Sequence, residues 1–265
     1  MSHQIKILFL AANPLNTDRL LIDEENRAIK AALVQTPYGD RFEFQEEWAV
    51  RISDLQAILL RHKPNIIHFS GHGSPQGEII LANEARNGIA VSNQVLSQLF
   101  AILKDDIRCV ILNACYSETQ ANRIGEYIDC VIGTPGTIGD ESAINFSSAF
   151  YLALGFGRNL KTAFELGCEQ IVLENLDDHT PKFISRLADP YSITFELMTS
   201  ENDHNRVIEL TNNLQPTLEI HQDIVESDNI TGLEAKNFRR GTANIVQKIK
   251  NSNAVKGVVI NDFGK

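Results

Sequence analysis

The sequence has no stretch approaching the roughly 20 apolar residues that a membrane-spanning helix needs. Its start, MSHQIKILFL, shows no basic stretch followed by a long apolar region and a small-residue cleavage site. A cytoplasmic protein with no membrane partner is the expectation. Basic residues are scarce: 24 Lys and Arg stand against 34 Asp and Glu, a formal charge of −10. No Lys/Arg cluster is available to neutralise phosphates, so nucleic acid is not expected as a direct partner. Only four cysteines occur in 265 residues, without CxxC or other metal-ligand spacing, so neither a metal site nor a disulfide framework is expected. The glycine-rich stretch GHGSPQG lacks the Lys-Ser/Thr end of a phosphate loop and opens no clear helix. No cofactor is expected.

What is present is an alternation of two hydrophobic periods. Ile5 to Leu10 reads as a strand ended by Asn13-Pro14. Leu20 to Leu33 places Ile22, Ile29, Ala32 and Leu33 on one helical face, with the run DEENR on the other. A second strand is expected at Phe42 to Trp48, then a helix capped by Ser53 that ends before Pro64, and a third strand at Ile66 to Phe69. Glu78 to Leu81 and Ile89 to Val91 suggest a hairpin, Ser92 starts a helix, and Cys109 to Leu112 forms a fourth strand. Residues 117–128 read as a helix, Cys130 to Ile132 as a strand, and 142–154 and 161–175 as helices separated by Gly155, Gly157 and Arg158. Such alternation predicts an α/β fold with a mostly parallel sheet covered on both faces, and ligands of such sheets bind beyond the carboxyl ends of the strands. From residue 196 the helical periodicity disappears. Short β-like stretches, Thr217 to Ile220, Ile245 to Ile249 and Val255 to Ile260, alternate with polar residues. The expected organisation is therefore residues 1–195 as one domain and 196–265 as a small β-rich appendage whose strands pack as a stack or against a partner.

Two segments can carry chemistry. His72 in IIHFSGHGSPQG directly follows the third strand and is flanked by Gly71 and Gly73. Cys115 in CVILNACYS directly follows the fourth. A base and a thiol thus emerge at one sheet edge, the arrangement in which a histidine makes a cysteine a thiolate nucleophile. Cys109, Cys130 and Cys168 lie in strand-like or helical stretches and read as structural. His68, inside the strand, reads as core packing or support for the site; His62, His179, His204 and His221 lie in polar loops and helix ends.

SGHG after one apolar strand and NAC after the next, with the histidine 43 positions before the cysteine, resemble the caspase/separase superfamily and most closely its CHAT branch. The stretches ILFLAANPLNTDRLLIDEENRAI, VIGTPGTIGDESAINFSSAFYLALGFG and HTPKFISRLADP share the resemblance, which spans residues 5 to about 195. It implies a caspase-like three-layer sandwich and a cysteine endopeptidase acting through a thioester. Cys115 would be the nucleophile and His72 the base, without an essential third residue, and the backbone N–H groups of Gly73 and Cys115 would form the oxyanion hole. Asp140 would face the substrate side chain before the scissile bond and favour a basic residue, unless it caps a helix beginning near Ser142. Asn113 would line the same pocket. The chain departs from the caspase pattern around the cysteine, reading NACYS. The resemblance further implies a protein substrate, an activating or sensor partner, and an effector role in a bacterial defence or stress response. The competing expectation is a catalytically inactive module of the same fold that binds a partner at the strand edge.

Overall fold

The computed structural model describes residues 4–176 and 179–195, and the backbone of four strands between Thr217 and Ile260. By internal contacts the chain divides into Met1–Thr199 and Ser200–Lys265.

The first unit is built on a six-stranded sheet. Its strands are β1 (Ile5–Ala12), β2 (Phe42–Trp48), β3 (Ile66–Gly71), β6 (Cys109–Asn113), β7 (Cys130–Gly133) and β8 (Lys182–Ser185). They lie in the order β2-β1-β3-β6-β7-β8, all parallel except β8, which runs antiparallel to β7. The short strands β4 (Ile80–Ala82) and β5 (Gly88–Ala90) form a separate hairpin. Every residue of β3, β6 and β7 is buried, as expected of parallel strands covered on both faces.

Alternation along each strand sorts the side chains into two cores. Leu8, Leu10, Ile67, Phe69, Val110, Leu112 and Val131 join Leu59, Phe100 and Ile124 of the helices α2 (Ile52–His62), α3 (Asn93–Leu103) and α4 (Glu118–Ile124). On the other face lie the helices α1 (Ile22–Val34), α5 (Asp140–Gly155) and α6 (Leu160–Leu173). There Phe9 stacks on His68, Phe146 on Phe150, and Phe146 meets Phe164 edge-on. This is the three-layer α/β sandwich expected. No helix among the described residues is long and apolar enough to cross a membrane.

Local chemistry explains where the elements begin and end. Ser92 caps α3, accepting a bond from the Val95 amide, and Asn159 caps α6 through Thr162. Ser53 does not cap α2. Arg51 holds that position, while the Ser53 hydroxyl lies inside the first turn and donates to Glu84 at 2.9 Å. α2 stops where Lys63 turns left-handed, before Pro64. The helix expected over 117–128 ends at Ile124, with Gly125 as its cap, packed so closely that an added Cβ would lie 2.5 Å from Ile184 of β8. The strand β8 itself has no alternation clear enough to find in the sequence.

The second unit contains β9 (Thr217–Ser227), β10 (Glu234–Ala235), β11 (Thr242–Ser252) and β12 (Val259–Ile260). β9 pairs with β11 and β10 with β12, both parallel. The expected strand at Val255 to Ile260 is described only at Val259–Ile260.

Phe150 is fully buried between rings of Phe146 and Tyr151. Phe150→Ala should lower unfolding stability by about 3–5 kcal/mol, read by urea denaturation of the full chain.

Candidate active site

The strand order reverses between β1 and its two neighbours, β2 on one side and β3 on the other. Loops leaving β1 and β3 therefore diverge, which opens a crevice at their carboxyl ends. A cleft there is lined by Leu20, Ile22, His72, Cys115, Asp140 and Ile144, with Glu25 and Asn113 at its floor.

His72 follows β3 on a tight hairpin. Its carbonyl accepts from Ile80 N–H, Gly73 bridges Ile79, and Ser74 N–H donates to Glu78 O. The imidazole Nε2 lies 2.7 Å from the Asp18 carbonyl oxygen. A carbonyl only accepts, so Nε2 carries the hydrogen and Nδ1 keeps the lone pair of a base. The orienting group is main-chain oxygen from the β1–α1 loop, which sequence reasoning did not identify.

Cys115 follows β6 on a turn with Tyr116 in the left-handed region, at φ 57°. Ser117 fixes this turn: its hydroxyl meets the Leu112 and Ala114 carbonyls at 2.8 Å and accepts from Thr134 N–H at 2.9 Å. Tyr116 N–H donates to Gly136 O. The Cys115 sulfur receives the Ile138 N–H at 3.5 Å, so a donor points at the atom that would carry the charge of a thiolate. By contrast, burial pushes the Cys130 thiol well up and the Cys168 thiol up to about 12. Cys109 and Cys130 are buried side by side, Sγ to Sγ 3.8 Å. All four cysteines are free thiols.

The two turns touch through their backbones. A Cβ on Gly73 would overlap the Cys115 carbonyl oxygen and lie 3.2 Å from its nitrogen. Glycine is therefore required at position 73 by close approach. Ser74 and Ile80 make the hairpin bonds and Tyr116 N–H is committed, whereas no hydrogen bond among the described residues uses the amide of Gly73 or Cys115.

Beneath the cleft lies a residue that the sequence reading assigned to solvent. Glu25, in the run DEENR, is only 3% exposed. Its Oε1 accepts from His68 Nε2 at 2.9 Å, Asn113 Nδ2 at 2.5 Å and Ser147 Oγ at 2.6 Å; its Oε2 accepts from Ser70 Oγ at 2.5 Å. Desolvation works against its charge, but the facing His68 and these donors outweigh it and hold the carboxyl below its ordinary value. The spacing Ile22, Glu25, Ile29, Ala32 carries the signal that could have found it, since all four lie on one helical face.

Asn113 is buried, and its amide nitrogen is directed at Glu25, the Ala143 carbonyl and Ser147. The side-chain oxygen is what it has left to offer the cleft. Asp140 is half-buried in the cleft wall. The expected alternative, Asp140 as cap of a helix starting near Ser142, is corrected: α5 begins at Asp140 itself with Gly139 in the cap position. His68, expected as core packing or support for the site, is fully buried against Phe9, with Nδ1 3.2 Å from the Tyr151 hydroxyl. His62 meets Glu47, and His204 and His221 lie outside the described side chains.

No family model matches the chain. It is 25% identical over 181 residues to a protein of Gillisia limnaea named a probable protease, covering 67% of this chain and 31% of that one. It is 23% identical over 158 residues to a Roc-COR-CHAT protease of an unknown prokaryotic organism, covering 56% of this chain and 15% of that one. The chain thus spans less than a third of either relative. Among solved structures it resembles the Arg-specific cysteine proteinase gingipain R, with a TM-score of 0.52, 13% identity, and coverage of 75% of this chain and 49% of the other. The likeness is one of fold.

Two outcomes are expected. Gly73→Ala should drive the His72 and Cys115 turns apart and reduce labelling of Cys115 by an iodoacetamide probe about 100-fold, with little change in circular dichroism. Glu25 has a depressed pKa, so its contribution to stability is complete above the ordinary glutamate range and is lost as pH falls through the folded value. Acid unfolding profiles of wild type and Glu25→Gln should therefore diverge at neutral pH and converge in acid.

Proposed function

We propose that this chain, which has the caspase-like fold and resembles the CHAT proteases in sequence, is a cysteine endopeptidase. Cys115 attacks the peptide carbonyl, with its proton passing to His72 Nδ1. The same proton then goes to the leaving amine, and water hydrolyses the resulting thioester. The oxyanion is received by the amides of Gly73 and Cys115, a contribution of roughly 3–4 kcal/mol per donor in comparable sites. The observation that carries this reading is the backbone contact of the two turns, which brings a histidine with a free Nδ1 lone pair and a half-buried thiol to one cleft.

The preferred substrate is a protein cleaved after a basic residue. The cleft offers acceptors: the Asp140 carboxylate, the Asn113 side-chain oxygen and, behind it, the charge of Glu25. A guanidinium supplies donors in matching geometry and a compensating charge. Where a carboxylate two positions before the cysteine would read the cation directly, this chain has Asn113, and the charge comes from one shell deeper. As an effector, the peptidase would be switched on by a sensor or activating partner in a bacterial defence or stress response. That reading draws on the CHAT resemblance and on the much greater length of both relatives.

Cys115→Ala and His72→Ala should each lower cleavage of a fluorogenic peptide by at least about 1,000-fold while leaving the fold intact. Retained cleavage by Cys115→Ala would overturn the mechanism. Specificity is read with two peptides that differ only in Arg or its neutral isostere citrulline before the cleaved bond. Wild type should prefer Arg, and Asp140→Ala and Glu25→Gln should each shrink the Arg-to-citrulline ratio in kcat/KM about tenfold. A purely structural role would lower both peptides together, and an unchanged ratio in both variants would sink the basic preference.

A further inference from the structure

The second unit has a period. Thr217 of β9 faces Thr242 of β11, and Glu234 of β10 faces Val259 of β12, so both pairs step by the same 25 residues. The sequence repeats at that step: Thr217, Ile220, Gln222, Ile224, Ser227, Gly232 and Phe238 recur as Thr242, Ile245, Gln247, Ile249, Ser252, Gly257 and Phe263. Two parallel turns of one repeating coil are the unit of a β-solenoid, which needs about three repeats to be stable alone. Each two-stranded sheet also leaves one edge of each strand unpaired among the described residues, and such edges template further pairing.

We propose that residues 217–265 are a self-assembly module, in which β11 of one copy pairs in parallel with β9 of a second copy and continues the 25-residue stack. The occupant is specified by charge. β9 carries Glu219, Asp223 and Glu226 and no Lys or Arg; β11 carries Lys248 and Lys250 and no acidic residue. Within the chain Asp223 stands opposite Lys248 in register. Adding a second copy by the same step sets its Asp223 opposite the free edge at Lys248, repeating an opposite-charge pair. Pairing β9 with β9, or β11 with β11, would align like charges instead. The contact is head-to-tail and adds each copy by the same parallel step along the stack, so it propagates into open filaments rather than stopping at dimers.

The test uses the full chain at rising concentration, followed by sedimentation velocity and electron microscopy. Wild type should form filaments of open-ended length, with a threshold concentration that rises with salt because paired charges are screened. Asp223→Lys and Lys248→Asp should each raise that threshold about tenfold or more. The double charge swap should restore it, and so should mixing the two single-charge variants, since each contact between copies then joins opposite charges while the pair within each chain stays alike, which separates pairing between copies from loss of folding. Probe labelling of Cys115 reports that the first unit is intact in every variant. A wild type that stays monomeric, or stops at a fixed dimer, overturns the proposal. So does assembly by a single-charge variant at the wild-type threshold, or failure of the double swap to restore it.

Discussion

A single buried carboxylate ties the two halves of the site together. Ser70 and Asn113 are register partners on β3 and β6, and each stands two positions before a proposed catalytic residue, His72 in one case and Cys115 in the other. Glu25 binds both, reaching down from α1 to hold adjacent strands at the level just below the cleft. An ionised carboxylate accepts and does not donate, so all four partners must present hydrogens to it. That requirement sets the orientation of the Asn113 amide and the tautomer of His68. A charge inside a protein is costly unless its partners are complete, and here they come from β3, β6 and α5 together. The cleft keeps its geometry only while those elements remain assembled.

This dependence explains why the sequence was informative about some features and silent about others. The compact apolar runs of β1, β3, β6 and β7, and the Ser92 cap of α3, are local signals, and each corresponds to an element in the structure. His72 and Cys115 stand out because each directly follows a buried strand, a placement readable from the chain alone. Glu25 was misread because a run of acidic residues usually marks a solvated face. Only the partner strands, 43 or more residues away, make the interior acceptable to it. The same holds for Asp18, whose contribution is a peptide oxygen that no residue type announces. Ser53 misled for the opposite reason: a good local cap was overruled because its hydroxyl is used by Glu84.

The second unit extends the contrast between local and distant information. Its 25-residue repeat is weak by identity and becomes evident only when strand register aligns it. In the first unit, each strand meets neighbours with different sequences, which fixes one fold. In the second, neighbouring strands share one repeating pattern, so the proposed assembly extends to a second molecule the pairing rule that joins β9 to β11.

The orientation of His72 has a consequence for how the site can be altered. Asp18 holds His72 through its main-chain oxygen, and its loop is in turn moored by Leu15 N–H on Arg86 O and by Gly88 N–H on the Asn16 side chain at 2.6 Å. A peptide oxygen has no proton to gain across the biological range, so acid leaves this brace in place where an aspartate brace would let go. Nor can exchange of the Asp18 side chain delete it. Inheritance can re-aim this imidazole only by reshaping the loop, which would make the path from Pro14 to Leu21 a heritable dial on the proposed catalysis without a catalytic side chain of its own.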